Sequence, residues 1–384
     1  MPLHRMLPCK VVVAVLVAIF AAFAGFFFSE HSDPLIEALI PALMANSLSR
    51  QEARRIEAQG WLTDGELHLV TCGTGTPAPD HSRASQCMAV IAGGRFFLFD
   101  TGDGSAENVA TMSLPVRNMS AIFFTHYHSD HIADLGEMTI VRWTRGQRQP
   151  LPVYGPPGVK QVVGGFQAAY ALDATYRTAH HTEEYMPPAG ALYEVHEINV
   201  CEDCPKASDR AAVVYDEDGL TVTAFQVHHE PVKPAYGYKV TYAGRSVVIS
   251  GDTTQCEEVE LAAAGADVLV HDAINHKLVE ALANAQYPSQ ARLKKLLNDT
   301  LDYHANPVQA LQTASKANVQ LLLLTHMLPP SQGSSIFKRF SQLGWAGWND
   351  APSWGGRWMQ ADDGMHFSMP PAPSAQIKQG KSLL

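Results

Sequence analysis

Thr125-His126-Tyr127-His128-Ser129-Asp130-His131 follows directly on the apolar run Ser120 to Phe124, and this stretch decides the fold. Three histidines and one aspartate fall within six residues. A strand ending near Phe124 would deliver all four side chains into one small volume, where imidazole nitrogens and a carboxylate together suit zinc or a similar divalent ion. A lone histidine is usually structural, but His-x-His-x-Asp-His has the spacing of a metal site.

Outward from this motif, short apolar runs bounded by glycine begin at Leu67: ELHLVTCGTGTP, CMAVIAGGRFFLFDTGDG and SAIFFTHYHSDH before and through it, then LTVTAFQVHHE, YGYKVTYAGRSVVISGDT, ADVLVHDA and VQLLLLTHML after it. These are predicted strands. Helix-like stretches lie between them, notably 276–299 and 307–317. Strands alternating with helices, together with adjacent hairpins, predict an α/β sandwich. Three later strands each end on a potential ligand: His229 in VHHEPVKPAYGY, Asp252 in SVVISGDTT and His326 in LLLLTHML.

With those residues in place, the segment from about Glu66 to Phe367 resembles the metallo-β-lactamase fold superfamily, whose signature is matched at His126, His128, Asp130 and His131. The resemblance implies a four-layered αββα sandwich enclosing a binuclear metal site. The long gap between His131 and His229, the segment Pro234 to Tyr238, the Gly-Asp-Thr at Gly251 to Thr253 and His304 ahead of His326 all resemble the ribonuclease Z and zinc-arylsulfatase branch. Glyoxalase- and lactonase-like members place the next histidine sooner, in a GH-rich turn that this chain lacks. True β-lactamases carry a cysteine among the second-metal ligands, whereas here Asp252 holds the bridging position and Cys256 comes four residues later.

Carried onto this sequence, the resemblance implies that His126, His128 and His229 bind one zinc ion and that Asp130, His131 and His326 bind the other, with Asp252 bridging. A hydroxide shared by the two ions would be the nucleophile, so no serine or cysteine is needed. His304 would lie outside the ligand set and assist the leaving group or stabilise charge, although a histidine capping the helix before Pro307 is the bland alternative. Asp130 counts with His304 as a catalytic candidate, and Asp272 could orient a histidine. His228 adjoins His229, and strand neighbours face opposite ways, so only one can enter the site; His229 is chosen. Asp100 is expected to brace its loop. The turn Gly73 to Asp80 could bring backbone groups or Asp80 near the site, or simply connect two strands.

Composition narrows the substrate. The 384 residues are 46% hydrophobic and 17% charged, which excludes a disordered chain, and a formal charge of −10 disfavours unaided binding of polyanions. Arg142, Arg145 and Arg148 form only a short basic run, expected to be a solvated helix face, and no basic, glycine-rich insertion interrupts the domain. Val11 to Phe28 is 18 residues without a charge, preceded by Arg5 and Lys10 and followed by Glu30, Asp33 and Glu37. This predicts a membrane anchor, or a signal sequence cleaved near Ala24, with the domain exported to the periplasm. An exported, acidic domain makes nucleic acid an improbable partner. The expectation is therefore a binuclear zinc hydrolase of small ester substrates, aryl sulfates or phosphodiesters. The alternatives are a transfer-RNA 3′-end endoribonuclease, a lactone or β-lactam hydrolase, or a non-catalytic membrane-associated binding protein.

The expected domains are 1–28 as anchor or signal, 29–65 as a helical connector, 66–368 as the hydrolase and 369–384 as a disordered tail. In the connector Ser32 or Asp33 can cap a helix with Leu35, Ile36, Leu39, Ile40 and Leu43 on one face, Pro41 should bend or end it, and 47–59 form a second polar helix. Cys201 and Cys204 are read as a local disulfide, and Cys72, Cys87 and Cys256 as small buried residues.

Overall fold

A computed structural model of the chain describes residues 33–285, 291–330, 354–373 and 376–384. It divides into two compact units, Met1–Ile56 and Glu57–Leu384. The predicted membrane segment lies outside the described residues, and so do the side chains of the apolar face expected on the helix after it. Among the described residues no helix is long and apolar enough to cross a membrane.

The connector is one continuous helix, α1, Asp33–Gly60, and not two. Proline costs a helix one N–H and crowds one earlier carbonyl; at Pro41 the helix continues regardless.

Within Glu57–Leu384, two sheets stack. The first runs β15-β14-β1-β2-β3-β4-β5-β6 and the second β13-β12-β11-β10-β9-β8-β7. The strands of the first are β1 Leu67–Gly73, β2 Cys87–Ala92, β3 Arg95–Phe99, β4 Met119–Phe123, β5 Leu151–Gly155, β6 Tyr193–Glu197, β14 His366–Met369 and β15 Lys378–Gln379. Those of the second are β7 Ala211–Glu217, β8 Leu220–His229, β9 Val232–Tyr242, β10 Arg245–Ile249, β11 Val268–Asp272, β12 Leu321–Thr325 and β13 Arg357–Gln360.

Strand periodicity explains the layers. Alternate residues of a strand face opposite sides, and in the run Leu321-Leu322-Leu323-Leu324 the first and third enter the core between the sheets while the second and fourth enter the core under the helices. Leu67 and Leu69 likewise face the inter-sheet core, and Val70 and Cys72 the outer one. The outer core of the first sheet is closed by α2 (Ser105–Thr111), α4 (Leu135–Thr144) and α5 (Val159–Tyr185) through Val109, Leu135, Met138, Val159 and Val163. That of the second is closed by α6 (Glu257–Ala262) and α9 (Pro307–Lys316) through Val259, Ala310, Leu311 and Ala314. Helices, sheet, sheet, helices is the expected order of layers. Each fully buried leucine contributes about 1.5–3 kcal/mol.

The stretch 276–299 is helical where it is described, in α7 His276–Ala285 and α8 Ala291–Asp299. Several other expectations are corrected. The tail expected to be disordered adds β15 to the first sheet and buries Ile377. Cys201 and Cys204 are joined as read, but Cys72 and Cys87 form a second disulfide, leaving Cys256 free. Arg142 is no solvated side chain: it is buried and donates to the carbonyls of Met119 and Gln149.

Candidate metal centre

Four strand ends of the two sheets converge on the motif. β4 ends at Phe123, His128 forms the N-terminal boundary of the short helix α3 (Ser129–Ile132), and Asp130 and His131 sit in that helix. β8 ends on His229, β10 runs out into Ser250-Gly251-Asp252, and β12 into His326. The sequence Pro234 to Tyr238 ties the two sheets together here: the Tyr236 N–H donates to the Thr125 carbonyl and the Tyr238 hydroxyl to that of Phe124. Gly251 lets the sheets close this far. Its φ is +64°, and a Cβ there would lie 2.9 Å from the Cβ of Thr125.

The ligating atoms form two groups. One oxygen or nitrogen from each of His126, His128, His229 and Asp252 lies within 4.8 Å of the others, and the same holds for Asp130, His131 and His326. Asp252 Oδ2 reaches both groups, at 3.2 Å from His131 Nε2, 3.4 Å from His326 Nε2, and 3.9 Å from the Nε2 atoms of His126 and His229. All seven side chains except His128 are buried, so the centre opens to solvent on the His128 side.

The chemistry of these donors fits a pair of divalent cations. His128 Nδ1 lies 3.0 Å from His126 Nε2 and 3.3 Å from His229 Nε2; it carries one hydrogen or one lone pair and can pair fully with only one of them, whereas a shared cation would accept lone pairs from all three rings. His131 Nε2 is buried with no properly formed hydrogen bond, despite its nearness to Asp252. Outer partners free the inward nitrogens. Asp100 Oδ2 accepts from His131 Nδ1 at 2.8 Å, and the Tyr303 carbonyl accepts from His229 Nδ1 at 2.9 Å. Such partners fix the tautomer of a ligating imidazole. Burial holds His126 well below its ordinary range, helped by the neighbouring His131, and pushes His229 down to about 4, so both present neutral lone pairs. Burial also opposes ionisation of Asp252, yet His326 and His131 outweigh it and hold the carboxyl well below the usual carboxylate range.

Asp100 braces the motif as expected: its Oδ1 accepts from the Thr125 N–H and its Oδ2 from the Thr125 hydroxyl, both at 2.8 Å. His228 turns away to Glu258, 3.3 Å distant, while its neighbour His229 faces inward. Cys256 is apart from both donor groups, beside the Thr253 hydroxyl, and burial pushes its thiol up to about 12. Asp80 accepts from Ser82 in its own turn, and the turn reaches the site instead through the Thr74 carbonyl, which accepts from the His326 N–H at 3.2 Å. His326 adopts φ +54°, unusual for a side chain larger than glycine.

His304 does not cap the following helix. Asn306 does, accepting from the N–H groups of Val308 and Gln309. The His304 ring is buried, stacks 4.9 Å from that of His326, and Asp272 Oδ2 accepts from its Nδ1 at 2.8 Å. One of its ring nitrogens joins Asp252 and His326 within 4.8 Å. Thr125, Tyr303 and Thr74 are absent from the sequence-derived set because their contributions are backbone groups and long-range contacts with no local pattern.

A family model described as a Beta-lactamase superfamily domain matches residues 95–327. A Ribonuclease Z of Mycobacterium sp. (strain KMS) is 39% identical over 266 residues, 69% of this chain and 85% of that protein. A Ribonuclease Z of Mycolicibacterium gilvum (strain PYR-GCK) is 37% identical over 269 residues, covering 69% and 86%. The fold is shared with human tRNase Z, short form, at TM-score 0.55 and 22% identity over 79% of this chain and 99% of that one. These relatives carry the name of a ribonuclease, which contradicts the expectation that nucleic acid is an improbable partner. The same kinship overturns the exported, membrane-anchored placement, which rested on Val11 to Phe28 and the charges flanking it, a segment outside the described residues. The chain belongs to the β-lactamase superfamily and, within it, to the ribonuclease Z branch of metal-dependent hydrolases that cleave phosphodiester or ester bonds.

Proposed function

We propose that the chain is an endoribonuclease that trims the 3′ end of precursor transfer RNA with two zinc ions held at the convergent strand ends. The observation that carries this is the 39% identity to a ribonuclease Z across 85% of that protein's length, beside a superfamily match over residues 95–327 that includes all seven donors. His126, His128 and His229 hold one ion, Asp130, His131 and His326 the other, and Asp252 is shared, as the distances from its Oδ2 support. Divalent ions bound there would supply a water of near-neutral pKa as nucleophile and positive charge to offset that developing on the phosphate. His304 stands beside this centre with Nδ1 held by Asp272, so its Nε2 is oriented to hand a proton to the leaving oxygen. Asp130 is a ligand that also fixes His326, 3.1 Å away. The hydrolase domain is taken as 66–368, with 29–65 as its connector.

The test is a substrate panel for the purified, zinc-loaded chain: a precursor transfer RNA with a 3′ trailer, an aryl sulfate, an aryl phosphodiester and a lactone. The account expects the RNA to be cut once, at the junction of stem and trailer, far more efficiently than the small esters turn over. Hydrolysis of the aryl sulfate or lactone with the RNA left intact would refute it.

A further inference from the structure

The centre opens beside His128, and near it stands the half-exposed ring of Tyr303, packed on His229, which the metal chemistry does not use. Its backbone is pinned, because its carbonyl accepts from His229 Nδ1 at 2.9 Å. Its ring is placed too, with the centroid 5.0 Å from that of His229 at 83° and 4.7 Å from that of His304 at 52°. His229 in turn is 3.3 Å from the exposed His128 through their ring nitrogens. The phenol hydroxyl has no hydrogen-bond partner among the described residues. An aromatic surface is thus held at fixed orientation at the mouth of the cluster, with no internal task that accounts for its place.

We propose that Tyr303 is the stacking wall for the nucleobase flanking the scissile phosphate. This deepens the ribonuclease reading and rests on it. A phosphate seated at the two donor groups brings its attached nucleoside to the rim, where the ring of this tyrosine can cover a base. The chain's net charge of −10 provides no general attraction for RNA. Stacking supplies affinity that needs no positive charge and tolerates any base, since every base has a π-face. Tyr303 is therefore a substrate-positioning residue, with His304 next to it acting on the bond that breaks.

The experiment uses the full chain and two versions of a precursor transfer RNA, one intact and one with abasic nucleotides on both sides of the cleaved phosphate. Tyr303→Leu is expected to raise KM for intact RNA by about 5- to 150-fold, the range for losing one base stack, with kcat little changed and zinc content the same. Tyr303→Phe keeps the ring and should recover most of that loss. On the abasic RNA the wild type should bind as weakly as the variant, and Tyr303→Leu should add nothing further. An unchanged KM in Tyr303→Leu overturns the inference. So does an equal loss in Tyr303→Phe, which would assign the effect to the hydroxyl, or an undiminished penalty on abasic RNA. Failure of the wild type to cut intact RNA would instead remove the ribonuclease reading itself, and the inference with it.

Discussion

Asp272→Asn should slow RNA cleavage by about 10- to 150-fold and leave the zinc content unchanged. The figure follows from the contact it weakens. Asp272 Oδ2 accepts from His304 Nδ1 at 2.8 Å, both side chains are buried, and a hydrogen bond to a charged group is worth about 1.5–3 kcal/mol. Each 1.36 kcal/mol is ten-fold in rate. The carboxylate matters most when His304 carries the proton it is about to donate, so its loss raises the barrier more than it weakens substrate binding. His304→Ala removes the acid entirely and should cost about 10²- to 10⁴-fold. The assay is single-turnover cleavage of two precursor transfer RNAs, one with the natural bridging oxygen as leaving atom and one with sulfur there. Thiolate leaves without a proton, so both variants should cut the sulfur substrate at nearly the wild-type rate. Equal losses on the two substrates would refute proton donation, and loss of zinc from His304→Ala would make the residue a ligand, consistent with its place within 4.8 Å of Asp252 and His326.

Two further outcomes are expected. Asp252→Ala should empty both metal positions, since Asp252 Oδ2 approaches ring nitrogens of both groups, whereas His326→Ala should chiefly empty one; elemental analysis of each purified variant checks this. Burial and then His68 hold His366 down to about 4 from its ordinary 6.5, so the unfolded chain takes up a proton that the folded chain refuses. The stability this represents is whole above pH 6.5 and drains away as pH falls toward 4, by about 2 kcal/mol at pH 5. Urea unfolding at pH 7 and pH 5 should show the drop in wild type and a smaller one in His366→Phe; identical drops would contradict it.

The donor set was legible because this fold puts chemistry at strand ends, where a polar residue directly after an apolar run stands out. His126, His229, Asp252 and His326 all have that context. Their convergence was not derivable from the runs themselves and came through the resemblance. Contacts that join distant segments left no local trace. Cys72 and Cys87 each look like an ordinary buried strand residue, and only the antiparallel pairing of β1 with β2 sets them face to face. Arg142 reads as part of a charged run, yet α4 turns it inward onto the carbonyls of Met119 and Gln149. The tail looks featureless because a two-residue strand is too short to show alternation. The expectation against a nucleic-acid partner fails for a different reason: net charge and the apolar stretch Val11 to Phe28 are properties of the whole chain, whereas function resides in the site.

The central claim is that two metal ions at these donors let the chain cut RNA. Its most direct test is a titration of zinc into the metal-stripped chain, followed by the single-turnover rate of precursor transfer RNA cleavage. The account predicts no cleavage without metal, a rise that is complete at two equivalents per chain, and no response at any zinc level in Asp252→Ala. Cleavage by the stripped chain, or full activity at one equivalent, would contradict it.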